Sequence, residues 1–302
     1  MTRPGLAPAP GAQGPGPLPR ELLQALDLRL ARRSASPLPG DHLSPGVGLG
    51  TELQQLRAYE VGDDVRQLDP AATARTGDPH VRLQVPERAL TTWLVLDLSA
   101  SMAFGTADRL KADVGSGVAQ AVGQLAVRRG GRVALMTFGA PESPMLPPRG
   151  GRGALAAIKR AVEEGVGPDG TADPSGLSEA LMRVGRMARA SGLVVVISDF
   201  RDGVGWERAL RRLTYRHSVL AIEISDPRES ELPAVGQLAL VDPETGQVVE
   251  VNTRSARVRE RFAAAERERV AALSETFRRA TVQHIRLSTE GIWLRELGRG
   301  LK

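Results

Sequence analysis

Leu94-Val-Leu-Asp97-Leu-Ser99-Ala-Ser101-Met102 decides how this chain is read, because an apolar run breaks there into Asp-x-Ser-x-Ser. Residues 92 to 98 predict a strand, and in doubly wound α/β sheets ligands sit just beyond the carboxyl ends of strands. The motif falls at that end. Its carboxylate and two hydroxyls are hard oxygen donors on one short loop, with no Cys or His nearby. Such a set suits Mg²⁺ or Mn²⁺ better than Zn²⁺. A strand end carrying polar caps fits the same spacing equally well.

Leu193-Val-Val-Val-Ile-Ser198-Asp199-Phe200 repeats the pattern of a buried parallel strand ending in an acid. If both strands are central, Asp97 and Asp199 converge on one sheet edge. Between them, Asp169-Gly170-Thr171-Ala-Asp173-Pro174-Ser175 reads as a turn into a helix, with Asp173 as N-cap and Pro174 at the first helical position. This turn offers a further hydroxyl, from Thr171 or from Ser175. On these residues the chain resembles the von Willebrand factor A domain, whose metal-ion-dependent adhesion site joins Asp-x-Ser-x-Ser to a Thr and an Asp from two other loops. The resemblance implies that Asp97, Ser99, Ser101, Thr171 and Asp199 hold a metal ion, and that an acidic residue of a protein partner fills its open position.

A second resemblance rests on Leu56-Arg-Ala-Tyr59-Glu-Val-Gly62-Asp63-Asp64-Val-Arg66-Gln-Leu-Asp69-Pro-Ala-Ala-Thr73-Ala-Arg75-Thr76, followed by Glu87-Arg88. This stretch is similar to the Tyr-x-x-Gly-Asp-Asp-x-Arg signature of the bacterial DUF58 family, whose members carry a von Willebrand A-like domain after it. Asp226-Pro-Arg-Glu-Ser-Glu-Leu232-Pro233 and Asp242-Pro-Glu-Thr-Gly246 fit the same family, so the likeness covers roughly residues 40 to 298. Pro70 stands where the family usually has Trp. Counting back from Ala180-Leu181 brings the family's Thr nearer Ser175 than Thr171. The resemblance implies partnership with a MoxR-type AAA+ ATPase in chaperone-like assembly or activation of other protein complexes.

The 302 residues suffice for a large core, and the absence of Cys removes disulfides and thiolate metal sites. No run of about eighteen apolar residues and no signal-peptide pattern occur, so the expectation is a cytoplasmic protein without a membrane partner. The formal net charge of +5 raises nucleic acid as a partner. That basicity is borne by arginine, since only Lys111, Lys159 and Lys302 are lysines. Between Arg254 and Arg279, arginines alternate with Glu260, Glu266, Glu268 and Glu275, which reads as a solvated helix face. Aromatics make up 3% of the chain, too few for a stacking groove. The expectation is no nucleic acid, with an accessory protein binding through this helix as an alternative.

The chain divides into a Pro/Gly-rich disordered arm over 1–19, an N-terminal helix and Gly-Asp-Asp region over 20–90, and a von Willebrand A-like domain over 91–298. Alternating strands and helices predict an α/β fold, a doubly wound and mostly parallel sheet, with an N-terminal extension and a small β-hairpin insertion at 236–252. Helices are expected at 20–34, 107–128, 152–164, 175–190, 204–214 and 254–279, and strands at 132–138, 218–224 and 282–287.

Enzyme motifs are sparse. Gly165-Val-Gly167-Pro-Asp-Gly170 follows a helical segment and carries Pro168, unlike a dinucleotide fingerprint. No Gly-Lys-Ser/Thr or Gly-x-Ser-x-Gly occurs, and His42, His80, His217 and His284 are isolated. No His or Lys stands beside the Asp-x-Ser-x-Ser loop in sequence as a general base. Asp63, Asp64 and Asp69 leave one alternative, a Mg²⁺-dependent hydrolase. Turn chemistry with ion pairs to Arg66 and Arg75 is the preferred reading of those acids, and the protein is read as a non-enzyme.

Overall fold

The computed structural model describes residues 53–61, 63–84, 90–141, 143–163, 176–201, 205–243 and 245–301. The expected arm over 1–19 and the helix over 20–34 lie outside them, as do Thr171, Asp173, Ser175 and the Gly-x-Gly-x-x-Gly stretch. Two compact units are present. In the smaller, β1 (Leu53–Ala58) pairs antiparallel with β2 (His80–Gln84), and α1 (Pro70–Thr76) lies between them in sequence. Pro70 opens α1, where its missing N–H costs nothing, and Gly77 at φ +81 ends it.

The larger unit begins with β3 (Thr91–Asp97), α2 (Lys111–Arg128), β4 (Arg132–Phe138), β5 (Met145–Arg149), α3 (Gly151–Glu163), α4 (Gly176–Met187) and β6 (Leu193–Ser198). It continues through α5 (Trp206–Thr214), β7 (Ser218–Ser225), the hairpin β8 (Gln237–Val241) and β9 (Val248–Asn252), α6 (Ala256–Arg279), β10 (Gln283–Ser288) and α7 (Trp293–Gly300). The six-stranded sheet runs β10-β7-β6-β3-β4-β5, parallel except for β5. This is the doubly wound, mostly parallel sheet expected, with the expected hairpin as a separate two-stranded sheet. Among the described residues, no helix is long and apolar enough to cross a membrane.

Strand periodicity explains why both faces are covered. Leu94 and Leu96 pack with Val195 and Ile197 against α2, α3 and α7, while Trp93 and Val95 pack with Val194 and Val196 against α4, α5 and α6. Successive side chains point to opposite faces, so a continuous apolar strand serves two cores at once.

Three features differ from the sequence reading. The helix expected from residue 107 begins at Lys111, because the preceding loop is tied elsewhere: Thr106 N and Oγ1 donate to Asp226 at 2.7 and 2.5 Å. β5 went unrecognised because Pro147 and Pro148 interrupt it, and prolines of this kind are confined to edge strands and bulges. The Arg-rich helix α6 is not wholly solvated, since Glu266 is buried and bonded to Arg201 and Arg269.

The contact of α2 with α7 depends on a missing side chain. A Cβ at Gly117 would stand 2.5 Å from Cζ2 of the buried Trp293. Gly→Ala in an open helix stabilises by about 1 kcal/mol. Here Gly117→Ala is expected to destabilise by about 1–3 kcal/mol through overpacking, and denaturant unfolding reads the sign directly.

Candidate functional site

β3 and β6 are hydrogen-bonded neighbours, and the chain winds outward from them in opposite directions. The crevice at such a switch point is where doubly wound sheets place ligands. Asp97 ends β3 there, fully buried, its Oδ1 accepting from Ser99 N at 2.8 Å and its Oδ2 from Ser198 Oγ at 2.6 Å. The Ser99 and Ser101 hydroxyls lie 3.0 Å apart at the start of a 3-10 turn over Ala100–Ala103. Gly139, at φ +83 after β4, lets this loop settle: a Cβ there would stand 2.7 Å from Ser99 N. The three residues lie below the surface, Ser101 being the most open at 5%.

Asp199 follows β6, buried beside them. Its Oδ1 accepts from Arg201 N at 3.0 Å and its Oδ2 from Lys111 Nζ at 2.6 Å. The next residue, Phe200, holds a left-handed φ of 52, which is costly for a residue with a side chain. Its ring packs at 5.5 Å from Trp206 and 5.0 Å from Phe277, and its N–H donates to Ser198 Oγ at 2.9 Å. Packing thus fixes the bend that delivers Asp199. Lys111, the first residue of α2, also donates to Glu229 Oε1 at 2.7 Å. Arg201 Nε lies 3.2 Å from the same oxygen, without hydrogen-bonding geometry.

The two buried aspartates differ in how readily they hold a proton. Burial, reinforced by Asp199, pushes the Asp97 carboxyl up to about 7, against weaker help from Ser198 and Ser99. Burial acts the same way on Asp199, but Lys111 and the Arg201 backbone outweigh it and hold that carboxyl below its usual range. Burial also works against the Lys111 ammonium, and Asp199 and Glu229 overcome it, so this lysine stays charged above its usual range. Among the described residues no cation pairs with Asp97.

The donors around Asp97 fit a hard divalent ion: a carboxylate without a counter-ion and two neutral hydroxyls, all oxygen. Each Asp97 oxygen retains a lone pair beyond the hydrogen bond it accepts. Asp199 fits less directly, because its charge is already matched. Thr171 and Ser175, the candidates for a third-loop hydroxyl, lie outside the described residues.

Lys111, Glu229 and Ser198 were not anticipated. The lysine held one signal, being one of three in a chain whose Lys and Arg total 40. The acids of the smaller unit have separate roles. Asp63 accepts from Arg57 at 2.6 Å and from Glu60 N at 2.8 Å, so its cation is Arg57, not Arg66 or Arg75. Asp64 caps a 3-10 turn through Arg66 N at 3.0 Å, and Asp69 caps α1 through Ala72 N at 2.8 Å.

Over residues 55–272 the chain matches the model of a family described as protein of unknown function DUF58. It is 38% identical over 278 residues to an uncharacterized protein of Mycobacterium tuberculosis, covering 92% of this chain and 87% of that one. Similarity to solved structures is more distant. The conserved hypothetical protein BatB of Bacteroides thetaiotaomicron is 14% identical, with 70% of this chain and 97% of that one covered and a TM-score of 0.42. The VWA domain of SpRpn10 is 15% identical over 45% of this chain and 76% of that one, with a TM-score of 0.33.

The raised Asp97 pKa has a definite sign in stability. Between the usual 3.8 and about 7, the native state keeps a proton that the unfolded chain releases. Stability therefore falls as pH rises through that window, and the penalty is complete above it. In metal-free buffer, wild type is expected to lose more stability than Asp97→Asn between about pH 5 and about pH 8. Parallel denaturant titrations of both proteins across that range check the difference.

Proposed function

The chain belongs to the DUF58 family, and we propose that it is a metal-dependent protein-binding adaptor and not an enzyme. One observation carries the reading: Asp97 is a buried carboxylate without a counter-ion among the described residues, flanked by two hydroxyls at the switch point of the sheet. The resemblance implies Asp97, Ser99, Ser101, Thr171 and Asp199 as the metal set, and of these Asp97, Ser99 and Ser101 are the residues to hold Mg²⁺ or Mn²⁺ directly. A bound Mg²⁺ supplies a coordination position for a partner's Asp or Glu. The chain's own part is to pre-form the donors. Ser99 N and Ser198 Oγ orient the Asp97 carboxylate, and Gly139 admits the loop against β4.

The partner best suited to this reading is a MoxR-type AAA+ ATPase, as the family resemblance implies, and a chain without cysteine suits a cytoplasmic setting. The structural roles of Asp63, Asp64 and Asp69 support binding over hydrolysis, because each already satisfies a turn or a helix end.

Mg²⁺ is expected to raise the melting temperature of wild type, by the equivalent of about 2.7 kcal/mol at a hundredfold excess over its dissociation constant. Asp97→Asn is expected to lose that increment. The effect should weaken by up to about tenfold in apparent affinity per pH unit below 7, since the ion must displace the Asp97 proton. Binding to a purified MoxR-type ATPase, followed by titration in Mg²⁺ and in EDTA, should require both the ion and Asp97. Equal stabilisation of wild type and Asp97→Asn, or partner binding indifferent to EDTA, overturns the reading. So does Mg²⁺-dependent hydrolysis abolished by Asp64→Ala in a protein that melts like wild type.

A further inference from the structure

Asp199 is the member of the site whose surroundings depart from the role of a metal ligand. Its Oδ2 receives the Lys111 ammonium at 2.6 Å, and the same ammonium reaches Glu229 at 2.7 Å. Lys111 and Asp199 are each 1% exposed, so neither trades its partner for water. The ammonium also stands 5.9 Å from the Phe104 ring centroid, within reach of the ring's negative face. Two carboxylates and one aromatic face thus surround a cation that the chain itself supplies. The carboxylates are anchored in turn: Asp199 Oδ1 by Arg201 N at 3.0 Å, Glu229 Oε2 by Asp226 N at 2.9 Å. Lys111 N donates to Phe104 O at 2.9 Å, which fixes the stem from which the ammonium extends.

We propose that Lys111 is the resident cation of this site, standing where a divalent ion would otherwise meet Asp199 and Glu229, and confining metal ligation to the Asp97 loop. The inference rests on the metal reading above for its functional meaning, but its physical content is separate. A fixed positive charge beside Asp199 repels a second cation there and leaves Asp97 as the anion still to be matched. Asp199 then orders the site through Lys111 without contributing a bond to the metal.

The test titrates Mn²⁺ into wild type, Asp97→Asn, Asp199→Asn and Lys111→Met, reading affinity by calorimetry and melting temperature. Asp199→Asn keeps Lys111 paired with Glu229, and its Mn²⁺ affinity is expected to change by less than about threefold. Lys111→Met leaves the buried Asp199 and the half-buried Glu229 without their ammonium and is expected to bind Mn²⁺ at least about tenfold more tightly than wild type. Should that variant fail to fold, Lys111→Met with Glu229→Gln removes one of the two stranded charges and is expected to show the same gain. Loss of binding in Asp199→Asn, or no gain in either Lys111 variant, overturns the proposal. If wild type takes up no Mn²⁺ while a Lys111 variant does, the resident-cation inference stands and the metal reading of the natural protein falls.

Discussion

Two carboxylates buried at the ends of adjacent parallel strands set the terms for everything around them. β3 and β6 must be neighbours in this winding, and both must be apolar to serve two cores, so the acids that close their apolar runs come to the same dry edge. Like charges in such a place have to be paired, hydrogen-bonded or protonated. Asp199 is paired with a lysine. Asp97, among the described residues, has hydroxyl and amide donors alone, and its proton affinity rises with burial and with the charge of Asp199. This asymmetry is the electrical character of the site, and the bend at Phe200, the gap at Gly139 and the buried start of α2 all maintain it.

The pairing extends well beyond the crevice. Glu229 draws in Arg201, which bonds to Glu266 at 2.8 Å; Glu266 holds Arg269 at 3.0 Å, and Arg269 reaches Glu223 at 2.9 Å. Glu223 lies opposite Ser198 in the register of β7 with β6, and it also meets His284 Nε2 at 3.0 Å. Charges therefore alternate from Lys111 across α6 and back to β7, the neighbour of the strand that Asp199 follows. Burial alone would raise the pKa of Glu223, but His284, Arg286 and Arg269 hold it below its usual range. A chain rich in arginine uses part of that basicity internally, to make buried acids tolerable.

How much of this was legible in the sequence depended on distance along the chain. Strand and helix periods marked the sheet and its order of elements, because apolar runs and amphipathic repeats are local signals. Asp97, Ser99, Ser101 and Asp199 stood out because strand ends expose motif residues in unbroken runs. Lys111 did not, since it stands ten residues past Ser101 and eighty-eight before Asp199, and only the fold brings it to them. β5 was hidden by its prolines, and the loop before α2 by the hold of Asp226 on Thr106, a bond spanning 120 residues. Interactions of that range leave no periodic trace.

The prolines of β5 bear on what the sheet can do at its margin. β5 is the last strand on its side, and neither Pro147 nor Pro148 has an N–H; because successive N–H groups of a strand face opposite edges, one of these two positions falls on the open edge and lacks the donor that an incoming strand would use. Edge-to-edge growth is therefore weakened there, whether by self-association or by an extended peptide adding itself to the sheet. A recognition element on this flank has to engage side chains, because the backbone at these two positions has nothing to donate.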